Sequence, residues 1–467
     1  MRYITDFHIH SRYSRATSKS LTPESLDYWS KLKGVHVLGT GDCVHPRWLE
    51  ELKEKLQVGA NGLYQLKSKY KLKPSEVPCP SFTKRNSHFM LTTEISSIYK
   101  KNGKVRKVHN LCVFPNFDVL DKVQKRLAKI GNIASDGRPI LGLDAKHLLE
   151  IVLEASPEAY LIPAHIWTPW FAVLGSSSGF DSIEECFEEL TPHIFALETG
   201  LSSDPHMNRT CSFLDKFRLV SNSDAHSNEK LGREANIFDT ELSYKGIFEG
   251  LKYDRGFEGT IEFYPQEGKY HYDGHRQCNL KWTPLETIKN KGICSVCKKP
   301  VTKGVMYRIA QLADRKDIEN LPLRQKFYSI TSFPDVLAEI FEKRSAAQVV
   351  QKEYFRLLEK LGSDFEILLE REIADIRTAG GDLLAEAIRR LREGSVYIEQ
   401  GYDGEFGRIT AFHEKELQEL KNNGLFKGNI SKTSSKTKRE NKTIQFDISA
   451  FQKLHKSMNN DTKISIE

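Results

Sequence analysis

Two histidines near the start of the chain, His8 and His10, are spaced to bind one metal ion. They lie two residues apart in an apolar run that is predicted to be a strand, so both imidazoles point to the same face. Further metal-binding side chains follow at or beside the ends of later apolar runs: Asp42, His45, Glu94, His109, His165, Asp224 and His226. Mixed histidine and carboxylate ligands suit zinc, manganese or iron. Clustered ions about 3.5–4 Å apart stabilise the attacking and leaving oxygens of phosphoester cleavage, so this set predicts a multinuclear hydrolytic centre.

A second group of metal-binding side chains lies further along the chain, at His275, Cys278, Cys294 and Cys297. Two paired knuckles in the spacing H-x2-C-x15-C-x2-C are typical of a tetrahedral structural zinc site. His271 is the alternative first ligand. The eight cysteines are few for this length, and no secretory segment accompanies them. We therefore expect thiols and a metal site rather than a framework of disulfides.

The first group must be positioned by roughly the first half of the chain, which alternates short apolar runs with amphipathic or loop segments, as α/β domains do. Seven runs are predicted to be strands, at 3–9, 35–40, 88–93, 108–114, 159–165, 194–199 and 218–223. Most candidate ligands lie within about three residues of the C-terminal end of their run, where barrels of βα units collect their chemistry. Only His109 lies early in its run. The ligands are therefore predicted to share one rim of an α/β barrel.

The chain has 467 residues, about three times the usual ~150 per domain, so several structural parts are expected. We predict a barrel at 1–254, a zinc-binding module at 255–312, a helical region at 313–425 and a flexible basic tail at 426–467. The clearest helices of the third part are predicted at 335–361 and 382–393. The tail is polar and has no clear period.

The net charge of +7 lies mostly in the tail, since residues 421–467 hold ten Lys and Arg against four Asp and Glu. A nucleic-acid surface on the body would therefore be a local patch. The first residues lack the apolar segment of a signal peptide, and no run of about 18 apolar residues occurs. We expect a cytoplasmic protein without a membrane span. The sequence also lacks the G-x4-GK-[ST] loop that holds ATP phosphates, which argues against a helicase.

The barrel residues resemble the motifs of the polymerase-and-histidinol-phosphatase (PHP) superfamily, at 6–10, Glu94, His109, His165 and 224–226. The resemblance implies a distorted (β/α)7 barrel with up to three metals. It assigns one metal to His8, His10, Glu94 and Asp224, a second to Glu94, His109 and His165, and a third to His226. Glu94, Asp224 and His226 are the predicted catalytic members of this set. Many relatives have histidines where this chain has Cys43 and 14–16, so Asp42, Cys43 or His45 completes the third site, or that site is weak or empty.

The order of parts narrows the resemblance to the endonuclease Q family. It rests on 262–276, 390–394 and 401–404, and it covers roughly residues 1–410. It implies a DNA repair nuclease that cuts on the 5′ side of a deaminated base (uracil, hypoxanthine or xanthine) or of an abasic site, in double- or single-stranded DNA, and a helical region that binds DNA. Zinc is expected in both sites, with magnesium or manganese as alternatives for activity. A damaged base must be flipped out of the stack to be read, and the candidate pocket walls are Trp167, Trp170, Phe171 and Tyr402.

One short segment of the tail suggests a protein partner. Residues 445–451 have a Q-x-x-I-x-x-F spacing like peptides that dock on sliding clamps, although the second aromatic residue is missing. Two other functions use the same barrel. A small-molecule phosphatase of the histidinol-phosphatase type would not need the zinc module or the helical region. A non-catalytic DNA-binding scaffold would not need a nearly complete set of ligands.

Overall fold

A computed structural model describes residues 1–315, 323–422, 444 and 446–464 of the chain. Its strands are β1 (Arg2–Asp6), β2 (Val37–Gly39), β3 (Leu56–Val58), β4 (Tyr64–Leu66), β5 (His88–Lys101), β6 (Lys104–Phe114), β7 (Ile140–Leu141), β8 (Tyr160–Pro163), β9 (Ala196–Glu198), β10 (Arg218–Val220), β11 (Ala235–Asp239), β12 (Phe257–Phe263), β13 (Asp273–His275), β14 (Leu280–Trp282), β15 (Lys326–Ile330), β16 (Tyr397–Glu399) and β17 (Arg408–Thr410). The predicted α/β fold is confirmed.

The helices surround the sheet in the first half of the chain and dominate the second half. They are α1 (Pro23–Lys33), α2 (Pro46–Lys55), α3 (Phe117–Ile130), α4 (Ala145–Ala155), α5 (Ile183–Phe187), α6 (Pro205–Arg209), α7 (Tyr244–Tyr253), α8 (Pro284–Lys289), α9 (Val305–Leu312), α10 (Phe333–Phe341), α11 (Gln348–Leu361), α12 (Ile373–Gly380), α13 (Asp382–Arg392), α14 (Glu414–Asn422) and α15 (Ile448–Ile464). Among the described residues, no helix is both long enough and apolar enough to cross a membrane.

Local sequence signals explain where the helices begin and end, and α1 is an example. The Thr22 hydroxyl accepts a hydrogen bond from the backbone N–H of Ser25, and Pro23 occupies the first turn. Both features favour a helix start because the first N–H groups have no partner within the helix. Gly34 ends the helix with φ 84°, a left-handed conformation that glycine adopts without strain.

The seven strands predicted from the sequence are all present, and they close into a distorted barrel. β1 pairs with β2, and β2 with β5, in parallel, while β6 pairs antiparallel with both β5 and β8. The Ile166 N–H donates to the Glu198 carbonyl, which links the end of β8 to β9, and the His10 N–H donates to the Ala225 carbonyl beyond β10. Each strand contributes to one buried apolar cluster, through Tyr3, Val37, Met90, Val113, Ile162, Ala196 and Val220.

The β5–β6 hairpin explains why His109 lies early in its run. β6 returns antiparallel to β5, with Glu94 opposite Leu111 and Ser96 opposite His109. Side chains opposite one another in a sheet share a face, and those two residues apart in a strand do too. His109 therefore lies on the same face as Glu94, although β6 runs in the other direction. This antiparallel strand is the departure from a regular βα barrel.

Strands that the sequence analysis missed extend the sheet beyond the barrel. β11 pairs antiparallel with β1, β12 with β11, and β15 pairs parallel with β12. The sequence predicts that the helical region begins at 313. In the structure the chain first returns to the barrel sheet as β15, and α10 begins only after this strand. The helix predicted at 335–361 is two helices, α10 and α11, because Glu342 takes a left-handed conformation that ends α10. The predicted helix at 382–393 corresponds to α13.

The zinc-binding module is built from the β13–β14 hairpin, α8 and the segment that holds the second pair of cysteines. The last part of the chain packs on it. The tail was expected to be flexible throughout, but α15 is a helix whose Phe451 is fully buried against Ile288, Tyr307 and Ala310. Ile448, Phe451 and Leu454 form a short apolar stripe at helical spacing, which the surrounding polar residues conceal in the sequence. Gln445, the first residue of the predicted clamp motif, lies outside the described residues.

Candidate metal centre

The candidate ligands of the barrel lie mostly on the turns that follow the strands. His8 and His10 follow β1, His165 follows β8, and Asp224 and His226 follow β10. His165 and Asp224 have positive φ angles of 35° and 48°. A side chain with a Cβ is strained there, and such strain collects where the surrounding structure holds a functional residue in place. Gly200 permits the close turn, because a Cβ at that position would lie 2.5 Å from the His165 Cβ.

Four of these side chains form one group: the ligand atoms of His8, His10, Glu94 and Asp224 all lie within 4.8 Å of one another. His10 Nε2 is 3.0 Å from Asp224 Oδ1 and 3.4 Å from Glu94 Oε2. His8 Nε2 is 3.6 Å from Glu94 Oε2 and is buried without a hydrogen-bond partner. An unsatisfied buried nitrogen is costly. A cation held by this group would satisfy it, so these residues fit a metal ion.

Glu94 also belongs to a second group, with His109 and His165, whose ligand atoms again lie within 4.8 Å of one another. His165 Nε2 is 3.3 Å from Glu94 Oε1, and His109 Nδ1 contacts the same oxygen. The two imidazole nitrogens are 3.1 Å apart. Glu94 thus directs one oxygen to each group, which is the arrangement of a carboxylate that bridges two cations. These three residues also fit a metal ion.

The other ring nitrogen of three of these histidines has a protein partner. His8 Nδ1 lies 3.0 Å from Glu198 Oε2, His10 Nδ1 lies 3.0 Å from Asp42 Oδ1, and His165 Nδ1 lies 3.0 Å from the Thr168 hydroxyl. Such partners fix the ring orientation and the tautomer of metal-binding histidines. The sequence analysis did not assign Glu198 to the site. A charged residue near the end of the otherwise apolar run 194–199 is the signal that could have found it.

The structure corrects the assignment of Asp42, Cys43 and His45 as candidates for the third site. Asp42 Oδ1 is used by His10, and its Oδ2 accepts hydrogen bonds from the Ser11 N–H, the Ser11 hydroxyl and the Ser14 hydroxyl. Burial raises the pKa of the Cys43 thiol well above its ordinary value, so the thiol stays protonated. Among the described residues, none of the three joins a group of ligand atoms.

His45 is held away from the ligand groups by its own contacts. Its Nε2 lies 3.1 Å from the Ala134 carbonyl, and its ring stacks on Tyr13 with centroids 4.5 Å apart. His226 is different, because its ring lies 4.6 Å from the His10 ring and its side chain is 30% exposed. Its Nδ1 lies 2.8 Å from the Asp224 carbonyl oxygen, so Nδ1 holds the hydrogen of the neutral ring. His226 therefore borders the first group from the solvent side.

Charge at the centre is balanced by cationic groups. Burial alone would raise the pKa of Glu94, but His109, Arg138 and His8 together hold it well below its ordinary value. Arg138 Nη1 lies 3.2 Å from Glu94 Oε2. Burial alone would lower the pKa of His10, but Asp42 and Asp224 raise it to about 9. The carboxylates of the ligand set are therefore ionised, as metal binding requires, whereas a bound cation would displace the proton that His10 holds near pH 7. Arg138 is a cation at the rim that the sequence analysis missed.

Comparison with known proteins finds relatives of this chain. No family model matches the chain. The chain is 26% identical over 419 residues to the uncharacterized protein YqxK of Bacillus subtilis, covering 86% of this chain and 98% of that protein. It is 30% identical over 253 residues to an uncharacterized protein of Methanocaldococcus jannaschii, covering 52% of this chain but spanning only 31% of that protein's length.

Two solved structures match nearly the whole fold. The first is the lesion-specific endonuclease PfuEndoQ from Pyrococcus furiosus, with a TM-score of 0.77, 28% identity, and coverage of 92% of this chain and 100% of that chain. The second is endonuclease Q in complex with a 27-mer duplex substrate with an abasic lesion at the active site, with a TM-score of 0.76, 28% identity, and coverage of 90% and 98%. The chain is a relative of endonuclease Q.

The second metal group of this endonuclease Q relative lies in the zinc-binding module. The ligand atoms of His275, Cys278, Cys294 and Cys297 lie within 4.8 Å of one another, with His275 Nδ1 3.5 Å from the Cys297 sulfur. Backbone N–H groups of Cys297 and Val296 lower the pKa of Cys294, which favours the thiolate that zinc binds. This donor set fits a structural zinc ion. His271 is buried and, among the described residues, belongs to no such group.

The four aromatic residues predicted as pocket walls have different surroundings. Trp167 is fully buried and donates from its ring N–H to Asn208, so it is a core residue and the prediction for it is wrong. The Tyr402 hydroxyl donates to Asn279, and its ring lies against Gly274, so both contacts are to the zinc-binding module. Trp170 is 46% exposed, and the Phe171 ring lies 4.7 Å from the ring of His109. Trp170 and Phe171 therefore remain beside the metal centre.

Proposed function

We propose that the chain is a metal-dependent DNA repair endonuclease that hydrolyses the phosphodiester on the 5′ side of a damaged nucleotide. The substrates would be deaminated bases (uracil, hypoxanthine or xanthine) and abasic sites. The observation that supports this most strongly is the pair of ligand groups that share Glu94 at one barrel rim. It occurs in a chain whose fold matches a lesion-specific endonuclease over 92% of its length. The enzyme would act in the cytoplasm, as the sequence predicts.

Two cations would be held by the two groups described above, with Glu94 as the bridging ligand and zinc, manganese or magnesium as the candidates. When bound, they would polarise the phosphate and lower the pKa of a water molecule. Arg138 is close enough to Glu94 to meet a phosphate oxygen at the rim and to neutralise its charge. Asp224 completes the first group from the solvent side, so its loss would open the centre at the point that faces the DNA.

His226 is the described titratable side chain best placed to exchange a proton at this rim. The hydrogen bond from Nδ1 to the Asp224 carbonyl leaves Nε2 without a hydrogen in the neutral ring. Burial lowers the pKa of His226, which keeps the ring neutral near pH 7. A neutral imidazole can bind a cation or accept a proton. His226 therefore either completes a third cation site or acts as a general base.

The DNA would be gripped by residues at the rim. Trp170 is exposed, and Lys107 Nζ lies 5.3 Å from the centre of the Phe171 ring, so aromatic and cationic groups alternate beside the metal centre. Exposed aromatic rings stack on bases, and cations bind phosphates. Trp170 and Phe171 are the remaining candidates for contact with a flipped base.

The direct test is incubation of the purified protein with manganese, magnesium or zinc and end-labelled DNA. Duplexes and single strands would contain one uracil, hypoxanthine, xanthine or abasic site, and a matched undamaged strand is the control. We expect a nick 5′ to the lesion that leaves a 3′-hydroxyl. Release of a free base, or β-elimination at an abasic site, would instead indicate a glycosylase or lyase. Hydrolysis of a phosphomonoester alone would indicate a small-molecule phosphatase.

A sliding clamp stays a predicted second partner through 445–451. Ile448 and Phe451 are both buried, Phe451 against the zinc-binding module, so a clamp would have to displace α15 to bind them. Co-sedimentation of the clamp with the full chain and with an Ile448→Ala, Phe451→Ala variant would test this partner. Equal binding by both proteins would rule out the 445–451 segment.

A further inference from the structure

Phe406 is the most exposed of the large hydrophobic side chains in the described residues. It is 72% exposed and lies in the loop between β16 and β17. A phenyl ring in water forgoes the free energy of burial. Single exposed apolar side chains are common on protein surfaces, so what distinguishes Phe406 is how its loop is held and what lies beside it.

The loop is fastened to the segment that leads into the zinc-binding module. The N–H groups of Gly401, Gly404 and Gly407 donate to the carbonyls of Gln266, Lys269 and Glu267, respectively, over 2.8, 2.9 and 3.1 Å. A Cβ at Gly401 would lie 2.3 Å from the Gly268 carbonyl oxygen, so the loop is also in close contact with this segment.

The side chain of Asp403 adds two more anchors on the same loop. It accepts hydrogen bonds of 2.6 Å from the Thr302 hydroxyl and from the Arg276 N–H. The loop is therefore held at both ends and in the middle. The backbone that carries Phe406 is already fixed, so little backbone entropy would be lost when the ring inserts into a partner.

A continuous series of contacts connects Phe406 to the metal centre. Lys269 Nζ lies 4.8 Å from the centre of the Phe406 ring, and the ring of the next residue, Tyr270, lies 5.9 Å from Trp170. The Thr168 hydroxyl hydrogen-bonds to both the Trp170 carbonyl and His165 Nδ1. The exposed ring, the lysine and the two aromatic residues thus form one edge that ends at a candidate ligand.

Positive charge accompanies this edge. Burial lowers the pKa of the Lys230 ammonium, its neighbours Arg233 and Lys269 lower it further, and the carboxylates of Asp335 and Asp224 oppose this. Cations placed in this way suit the phosphate backbone of DNA. Because the edge carries Lys269 beside the exposed ring and ends at a candidate hydrolytic centre, nucleic acid is the occupant that it favours.

We propose that Phe406 inserts into the base stack of duplex DNA at the lesion and fills the gap left by the flipped nucleotide, while Lys269 binds the adjoining phosphate. Apolar wedges between base steps unstack and kink duplexes in this way, and flipping a nucleotide leaves a gap that must be filled or collapse. The inference rests on the proposed nuclease function and adds a residue that distinguishes duplex from single-stranded substrates.

The test compares cleavage of duplex and single-stranded DNA that contain the same abasic site. Phe406→Ala should slow duplex cleavage about tenfold or more and leave single-strand cleavage within about twofold, because only the duplex has a stack to fill. Phe406→Trp should restore duplex cleavage. Val58→Ala, which changes another exposed apolar residue (62% exposed) on β3, is the matched control and should cleave like the parent.

A second readout is spectroscopic. In a duplex with 2-aminopurine opposite the abasic site, the parent should change the probe's fluorescence on binding and Phe406→Ala should not. If Phe406→Ala slows cleavage of duplex and single-stranded DNA equally, or cleaves the duplex as fast as the parent, Phe406 does not act as a wedge. If the parent cuts neither substrate, the nuclease function itself fails and the wedge fails with it. An active parent with an unaffected variant refutes the wedge alone.

Discussion

The two metal groups of this chain differ in how much of the site the protein builds without an ion. In the barrel, the side chains of His8, His10 and Glu94 have 0% exposure, and buried protein groups orient the imidazoles. In the zinc-binding module, His275 and Cys278 are partly exposed and only Cys294 is fully buried. Apart from Cys294, the residues at 275–282 and 290–300, which surround the ligands, are exposed or half-buried.

This difference separates a preformed site from a site that depends on its ion. Removing a ligand from the barrel should change chemistry while the fold persists, since strands and a large core support it. Removing a ligand from the module should change the fold, because structural zinc supplies folding free energy where the core is small.

The largest effect is expected for Asp224→Ala. Nicking should fall roughly a thousandfold or more, about 4 kcal/mol of transition-state stabilisation, because one of the two groups loses a ligand. Binding of a lesion duplex should stay within roughly tenfold of the parent, since the DNA grip lies elsewhere. Single-turnover cleavage and a fluorescence binding assay measure the two quantities. Asp375→Ala on the exposed side of α12 is the control, and near-parent cleavage by Asp224→Ala would remove the barrel group from the chemistry.

The next effect concerns the module. Cys297→Ser should lower the zinc content by about one ion per chain and expose amides of 273–312 to hydrogen exchange, with weaker DNA binding. Amides of the barrel strands should remain protected. Ser295→Ala is the control, because Ser295 lies between the two cysteines of the same pair but is not a candidate ligand, and this variant should keep its zinc. Full zinc content and normal affinity in Cys297→Ser would show that the module does not need this ligand.

A smaller effect is expected for Glu198→Gln, which changes a partner of His8 rather than a ligand. Glu198 also accepts the His165 N–H at 3.0 Å and an Asn222 amide hydrogen at 2.7 Å. The amide keeps the shape but loses the charge, so metal affinity in the barrel should fall by about 10–100-fold. Isothermal titration with manganese measures this, with zinc binding by the module as the internal control. An unchanged affinity would mean that the fold orients His8 without Glu198.

pH should act on the two regions in opposite directions. Burial raises the pKa of Glu262, on β12, to about 8. The folded state then keeps a proton that the unfolded chain releases above its ordinary pKa of 4.5, so the free energy of unfolding falls as pH rises from about 4.5 to 8. Glu262→Gln should remove this dependence in denaturant titrations. Zinc in the module should instead be lost as pH falls, because thiolates must be deprotonated.

Much of the barrel site could be predicted from the sequence because strand ends converge. His8, His10, Glu94, His165 and Asp224 are chemically distinctive, and apolar runs that precede them mark their positions. Their grouping then follows from the geometry of parallel strands. His109 was a candidate from its residue type, but only the resemblance assigned it to the second metal, since the sequence does not show that its strand runs antiparallel to β5.

The rest could not be predicted because it depends on partners distant in sequence. Asp42 has the residue type of a ligand, but hydrogen bonds from Ser11 and Ser14 decide that it orients His10 instead. Trp167 was expected at the rim, yet Asn208, which accepts its N–H, shows that it is core. The apolar patterns of β15 and α15 are short, and their burial depends on elements distant in the sequence. Neither element can therefore be recognised among the polar residues around it.

The way in which the barrel closes has a consequence for biosynthesis. The residues after β1 cannot make their last contacts until the segment beyond β10 has been synthesised. The contact from His10 to Asp224 spans 214 residues. At about 5–20 residues per second, a ribosome needs roughly 10–40 s to make that interval. Contacts so distant in sequence also slow folding after synthesis. The earliest-made ligands, His8 and His10, therefore acquire the last carboxylate of their group, Asp224, late, and cations cannot be captured by the complete first group on a nascent chain shorter than about half the protein.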